Sequence, residues 1–166
     1  MRLVIDGYNL IHHCPELALA EARGRGREAL MQALRLYRKR RPHHITVVFD
    51  GGPEPGGQRT SLAGLPVVFS GAARSADDVI ADLARQEGRN LTVITADHEL
   101  ADRCRLHSAV VLDSGEFSLR LMETALGEAP AEEAEAEGWD FSTRKKGPAK
   151  RLSKAQRRKG RRKGRL

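Results

Sequence analysis

The sequence predicts an α/β fold in which helices cover both faces of a central parallel sheet. Short β-rich runs alternate with stretches of helical spacing, which is the pattern of strand-to-helix-to-strand crossovers. The runs are also continuously apolar rather than alternating, as expected for strands buried on both faces. A length of 166 residues suits one compact domain with one core.

The expected strands are Leu3 to Ile5, Ile45 to Phe49, Val67 to Phe69, Leu91 to Thr95 and Ala109 to Leu112. Helical spacing is found over Glu28 to Arg40, Ala76 to Gln86, His98 to Arg105 and Phe117 to Leu126. Residues Gly51 to Gly64 break the alternation, being rich in Gly and Pro without helical period, and are expected to be a mobile loop joining strands two and three.

Charge divides the chain more sharply than hydropathy does. Residues 144–166 hold 13 Lys or Arg and no acid, residues 128–143 hold five Glu and one Asp with no base, and residues 1–127 balance 16 acids against 16 bases. The expected organisation is therefore a folded domain over 1–127, an acidic linker or short helix over 128–143, and a basic tail over 144–166 that stays disordered until bound. Net charge speaks to partners rather than to fold, so the formal +7 points to a polyanionic partner met by the tail. Without an aromatic, that tail offers no stacking platform and is expected to read phosphates through Arg144, Lys145, Lys146, Lys150, Arg151, Arg157, Arg158, Lys159, Arg161, Arg162 and Lys163.

The apolar runs are strand-sized, so no transmembrane helix and no membrane partner are expected. Met1-Arg2 passes directly into Leu3-Val4-Ile5-Asp6 with no apolar signal region, and a cytoplasmic location is expected. Cys14 and Cys104 lie far apart without metal-ligand spacing and are expected to be buried, reduced thiols. Oligomeric state is left open.

Asp6, Asp50, Asp77 and Asp97 are expected to carry the chemistry, with Asp78 beside them. Asp6 follows the first strand and Asp50 the second, Asp77 and Asp78 open the helix after the third, and Asp97 lies just past the fourth. In a parallel sheet all these places lie at the carboxyl edge, where open α/β sheets bind ligands. Any one Asp there could simply cap the next helix. Ser75 with Asp78 at the third helical position forms an approximate capping box, which leaves Asp78 between structure and function and makes Asp77 the better ligand candidate. Acids from four loops at one edge repel one another, and such a group either takes up protons or recruits a cation. An oxygen-only donor set favours Mg²⁺ or Mn²⁺, which would activate water and neutralise a phosphodiester for hydrolysis.

Asp6-Gly7-Tyr8-Asn9-Leu10-Ile11 resembles the opening motif of the YacP-like NYN domain family, a branch of the PIN-like ribonucleases. Val48-Phe49-Asp50-Gly51, Ser75-Ala76-Asp77-Asp78-Val79-Ile80 and Thr95-Ala96-Asp97 resemble its second, third and fourth motifs in order, and the resemblance covers about residues 1–126. It implies a PIN-like three-layer fold with strand order 3-2-1-4-5, endoribonuclease activity with Mg²⁺ or Mn²⁺, RNA as substrate, and association with the translation machinery, including the ribosome. Asp6, Asp77 and Asp97 carry over as metal ligands, with Asp78 beside them and Asp50 as a further ligand or water-positioning acid. Asn9 would orient Asp6 or bind phosphate, or else act as a turn amide capping the next segment. The chain departs from the family pattern at Asp78, where longer members can carry Glu, and in ending on a basic tail rather than further helices.

Other readings lack their residues. A receiver domain needs a Lys after its fifth strand, yet Lys39 is the only Lys before residue 145. A dehalogenase-like phosphatase needs a second Asp where Tyr8 stands, and no GxxxxGK[ST] run exists. His98, next to Asp97, is a secondary candidate for proton transfer. Arg23, Arg25, Arg27, Arg59 and Arg74 are candidates for contacts to the RNA backbone or for a solvated surface. The alternative function of a different class is a non-catalytic RNA-binding or ribosome-associated factor that keeps the PIN-like fold.

Overall fold

The structure, a computed structural model, describes residues 1–127. In chain order the elements are β1 (Arg2–Asp6), α1 (Gly7–His12), α2 (Pro15–Glu21), α3 (Gly26–Arg40), β2 (His44–Phe49), β3 (Gln58–Leu62) and β4 (Leu65–Phe69). They continue with α4 (Ala76–Glu87), β5 (Leu91–Ile94), α5 (His98–Leu106), β6 (Val110–Leu112) and α6 (Ser114–Leu126). They belong to one compact unit, Met1–Ala129. No helix of the described residues is long and apolar enough to cross a membrane.

The six strands form one sheet in the order β3-β4-β2-β1-β5-β6. Every neighbouring pair is parallel except β3 and β4. The five strands expected from sequence keep the order 3-2-1-4-5, and β3 is added antiparallel at one edge. Central β1 is flanked by β2 and β5, with Ile5 in register with Val47 and Ile94.

Strand periodicity explains the continuous apolar runs. Successive side chains point to opposite faces, so Leu3 and Ile5 pack with Val47, Phe49, Leu10, Leu34 and Leu121 on one side. Val4 packs with Val48, Val93, Ile80, Ala84 and Leu100 on the other. Helices α1, α3 and α6 thus serve one layer and α4 and α5 the other. Cys14 and Cys104 are buried and free, one in each cluster.

The sequence-based expectation fails in the segment 51–64. It contains β3, paired with β4 from Gln58 opposite Phe69 to Leu62 opposite Leu65. Its start is bonded too: Gly71 donates to the Gly51 carbonyl at 2.8 Å and Ala72 to that of Pro55 at 2.9 Å. All five residues of β3 are exposed, so nothing in their side chains signals a strand. The ladder to β4 creates it, and strand preference of this kind belongs to context more than to the residue.

Two further elements were not anticipated. Helix α1 is only six residues long and begins at a glycine, too short to show a period. A Cβ on Gly7 would stand 2.3 Å from the Phe49 ring, so glycine lets α1 start against β2. Helix α2 opens on Pro15, whose missing N–H costs nothing at the first helical position. The last helix also begins earlier than its apolar spacing suggests, at Ser114, capped by the Asp113 side chain.

The acidic segment 128–143 and the tail 144–166, with its candidate RNA contacts, lie outside the described residues.

Candidate active site

Asp6 is the last residue of β1 and caps α1, its Oδ1 accepting the Asn9 N–H at 3.3 Å. Its Oδ2 accepts the Thr95 hydroxyl at 3.4 Å. The Thr95 oxygen also accepts the Asp97 N–H at 3.1 Å, so one buried hydroxyl ties the end of β1 to the loop after β5. Asp97 then caps α5, its Oδ1 accepting from the Leu100 N–H at 2.9 Å.

Asn9 makes a second tie between the same segments. Its Oδ1 accepts the Ala96 N–H at 2.8 Å and the Ser114 hydroxyl at 2.7 Å. A backbone N–H only donates, so the carbonyl end of the amide must face Ala96. Asn9 therefore serves Asp6 through its backbone and the β5–α5 loop through its side chain.

Asp50 directly follows β2. Its Oδ1 accepts from the Ser70 hydroxyl at 3.0 Å and from the Ala76 N–H at 2.9 Å, the latter being the first N–H of α4. Asp50 thereby brings the α4 N-terminus to the end of β2. Asp77 follows Ala76, and among the described residues its carboxylate makes no hydrogen bond or ion pair. Asp78 is paired with Arg103 on α5 at 2.9 Å, and its N–H donates to the Ser75 hydroxyl at 3.1 Å. The Arg103 guanidinium, with help from Ser75, holds the Asp78 carboxyl below the usual range.

The four expected acids feel one another. Burial, opposed by the Asn9 N–H and reinforced by the charges of Asp77 and Asp97, pushes the Asp6 carboxyl up to about 6. Asp77 is raised as well, first by burial, then by Asp97, with Asp50 and Asp78 adding and Arg103 opposing. For Asp6 and Asp77, repulsion from the neighbouring carboxylates thus adds to burial in disfavouring ionisation.

Among the described residues, no three His, Cys, Asp or Glu side chains stand together as a ready-made metal cage. The donor set nevertheless fits a hard divalent ion. Mg²⁺ is usually held by one or two carboxylates and keeps several waters for substrate to replace, and a cation would favour the charged forms that burial and, secondarily, neighbouring carboxylates disfavour at Asp6 and Asp77.

The remaining candidates scatter. His98 is exposed at the start of α5. Arg74 is paired with Asp82 and Arg25 with Glu28. Arg59 lines a cavity of about 1130 Å³ with Arg2, Val68 and Leu83, and this cavity includes none of the site aspartates. Arg27 is held over the Phe69 ring. Sequence reasoning assigned no role to Thr95, Ser70 or Ser114. Thr95 lies inside the fourth motif, but the other two have no local signal because their partners are distant in sequence.

A family model described as the YacP-like NYN domain matches residues 3–162. It extends past the last motif and into the tail, further than the four motifs alone indicate. The crystal structure of Rae1 (YacP) from Bacillus subtilis is similar at 25% identity and a TM-score of 0.62, covering 76% of this chain and 75% of that one. The crystal structure of a tryptophan-to-leucine mutant of the same Bacillus subtilis protein is similar at 25% identity and a TM-score of 0.61, covering 75% and 76%. No curated protein matches significantly in sequence.

Proposed function

The chain belongs to the YacP-like NYN domain family, a group of PIN-like ribonuclease domains, and from this we propose that it is a metal-dependent endoribonuclease. Asp6, Asp77 and Asp97 would hold Mg²⁺ or Mn²⁺, with Asp50 positioning the α4 end of the site. One observation carries the reading: a buried carboxylate, raised to about 6, sits within the field of two more carboxylates at the edge of a parallel sheet. Carboxyls perturbed by burial and by neighbouring acids are a recurrent feature of functional sites. When bound, such an ion supplies activation of water and neutralisation of charge on the phosphate and leaving oxygen.

The chain's own groups do the placing. Thr95 and the Asn9 N–H aim the Asp6 carboxylate, and the Asn9 side chain holds the loop that carries Asp97. Asp50 fixes the start of α4 and so the position of Asp77. Asp78, committed to Arg103, contributes its charge and the anchoring of α5 to α4 more readily than a ligand oxygen. The tail 144–166 would add affinity for RNA, free or on a ribosome, without sequence choice.

The test is RNA cleavage by the full chain with Mg²⁺ or Mn²⁺, set against Asp6→Asn and Asp97→Asn. Asn caps helices about as well as Asp, so both variants should fold, and cleavage should fall on the order of 10²-fold or more if they hold the ion. Cleavage persisting in both variants sinks the site. RNA binding by wild type without cleavage would favour the non-catalytic factor.

A further inference from the structure

Helix α3 runs down to the start of β2, so its first turn lies at the opposite end, beside the carboxyl edge of the sheet. Arg27, in that turn, places its guanidinium 6.0 Å from the centre of the Phe69 ring. Phe69 ends β4 and stacks on Phe49, which ends β2, at 5.8 Å. Phe49 meets Tyr8 edge-on at 5.2 Å, next to the Asp6 cap. The residues following the two phenylalanines are Asp50 and Ser70, joined by a hydrogen bond of 3.0 Å. A row of rings thus leads from Arg27 to the acidic site.

Arg27 is exposed and, among the described residues, has no acid partner. Two arginines on the α4 and α5 side of the sheet differ. Arg74 is neutralised by Asp82 and Arg103 by Asp78. A guanidinium resting on a ring keeps its charge and its five donors while its motion is restricted, which suits it to a planar, bidentate contact with phosphate. It also lies on the α3 side of the strand ends, across from α4 and α5, which carry Asp77 and Asp97. A strand bound at Arg27 and cut at the aspartates must cross the end of the sheet.

We propose that Arg27 binds a backbone phosphate of single-stranded RNA and positions the strand across the ends of β4, β2 and β1. This rests on the ribonuclease reading and adds a direction of approach. The shared chemistry is a phosphodiester anion, and contact with it should lower KM while leaving the bond-breaking step largely unchanged.

The experiment compares full-length wild type, Arg27→Gln, Arg27→Lys and Arg89→Gln. Arg89 is exposed at the amino end of β5, at the opposite sheet edge, and controls for simple loss of charge. Binding of an unstructured, labelled oligoribonucleotide is followed against salt in EDTA, and KM and kcat with metal. Arg27→Gln should lower the slope of log affinity against log salt by about 0.7, the value for one single-strand phosphate. It should also raise KM about 5-fold, with kcat within about twofold. Arg27→Lys should keep the slope and recover part of KM, and Arg89→Gln should change neither quantity. An unchanged slope in Arg27→Gln overturns the proposal, as does an equal loss in Arg89→Gln. In either case Asp6-dependent cleavage by wild type would leave the ribonuclease reading standing, whereas wild type that neither binds nor cuts RNA removes both.

Discussion

Asn9 accepts the backbone N–H of Ala96 at 2.8 Å across 87 residues of sequence. The contact joins the segment after β1 to the segment after β5, adjacent strands whose ends carry Asp6 and Asp97. The same oxygen receives the fully buried hydroxyl of Ser114, so α6 is fastened to the same point.

Replacing Asn9 by Ala leaves the Ala96 N–H and the Ser114 hydroxyl without their acceptor. An orphaned buried donor costs about 1–3 kcal/mol, and that loss should appear in urea unfolding. Cleavage should fall as well, because the loop bearing Asp97 loses its fastening. Unchanged stability would mean that water replaces the amide and that the clasp is incidental.

Thr95 gives a narrower test. Thr95→Val keeps the shape but removes the hydroxyl that donates to Asp6 and accepts from Asp97. A cost of about 1–2 kcal/mol is expected, with a fall in kcat/KM of roughly 10–100-fold, as for groups that orient metal ligands. Thr95→Ser should restore most of both. Equal activity in the Val and Ser variants would show that the hydroxyl does not orient the acid.

The pH dependence follows from Asp6. Its folded value of about 6 lies above the ordinary 3.8, so between those limits the folded chain binds more protons than the unfolded chain. Its contribution to stability is full below about 4 and lost as pH rises through about 6, a swing of roughly 2–3 kcal/mol at most. Lowered Asp78 and Asp82 work in the opposite direction, stabilising at higher pH. The clean measurement is therefore the difference between wild type and Asp6→Asn in metal-free buffer. The variant should gain on wild type as pH rises from about 4 to about 7, and Mg²⁺ or Mn²⁺ should stabilise wild type alone. A difference that stays flat with pH would contradict the raised carboxyl.

Removal of residues 144–166 deletes 13 bases. Affinity for RNA should drop and its salt dependence flatten, by about 0.7 in slope for each phosphate no longer neutralised. Metal-dependent kcat on a short RNA should stay within a few-fold. Loss of metal binding in the truncated chain would show that the tail belongs to the site.

The placement of the acids was legible because strand and helix boundaries here carry strong signals. Asp6 ends a short buried strand, Asp50 directly follows one and Asp97 lies in the loop after one, and parallel crossovers bring all such ends to one edge. Asp78 shows the limit of that logic. In sequence it adjoins Asp77 and shares its helix turn, yet Arg103, 25 residues away, claims its carboxylate. Strand β3 shows another limit, since its exposed residues acquire strand structure from β4 alone.

Strand order was implied by the family resemblance, whereas the layered α/β architecture and the edge where the aspartates gather could be read from the residues themselves. The latter two come from burial periodicity and chain connectivity, both local or topological. Which acids are held, by whom and at what electrostatic cost depends on the packed fold. Thr95 and Asn9 reach partners across strands, Arg103 takes Asp78, and burial raises Asp6. Hydrogen bonds and desolvation act over a few ångströms in space, and residues that near can lie tens of positions apart along the chain.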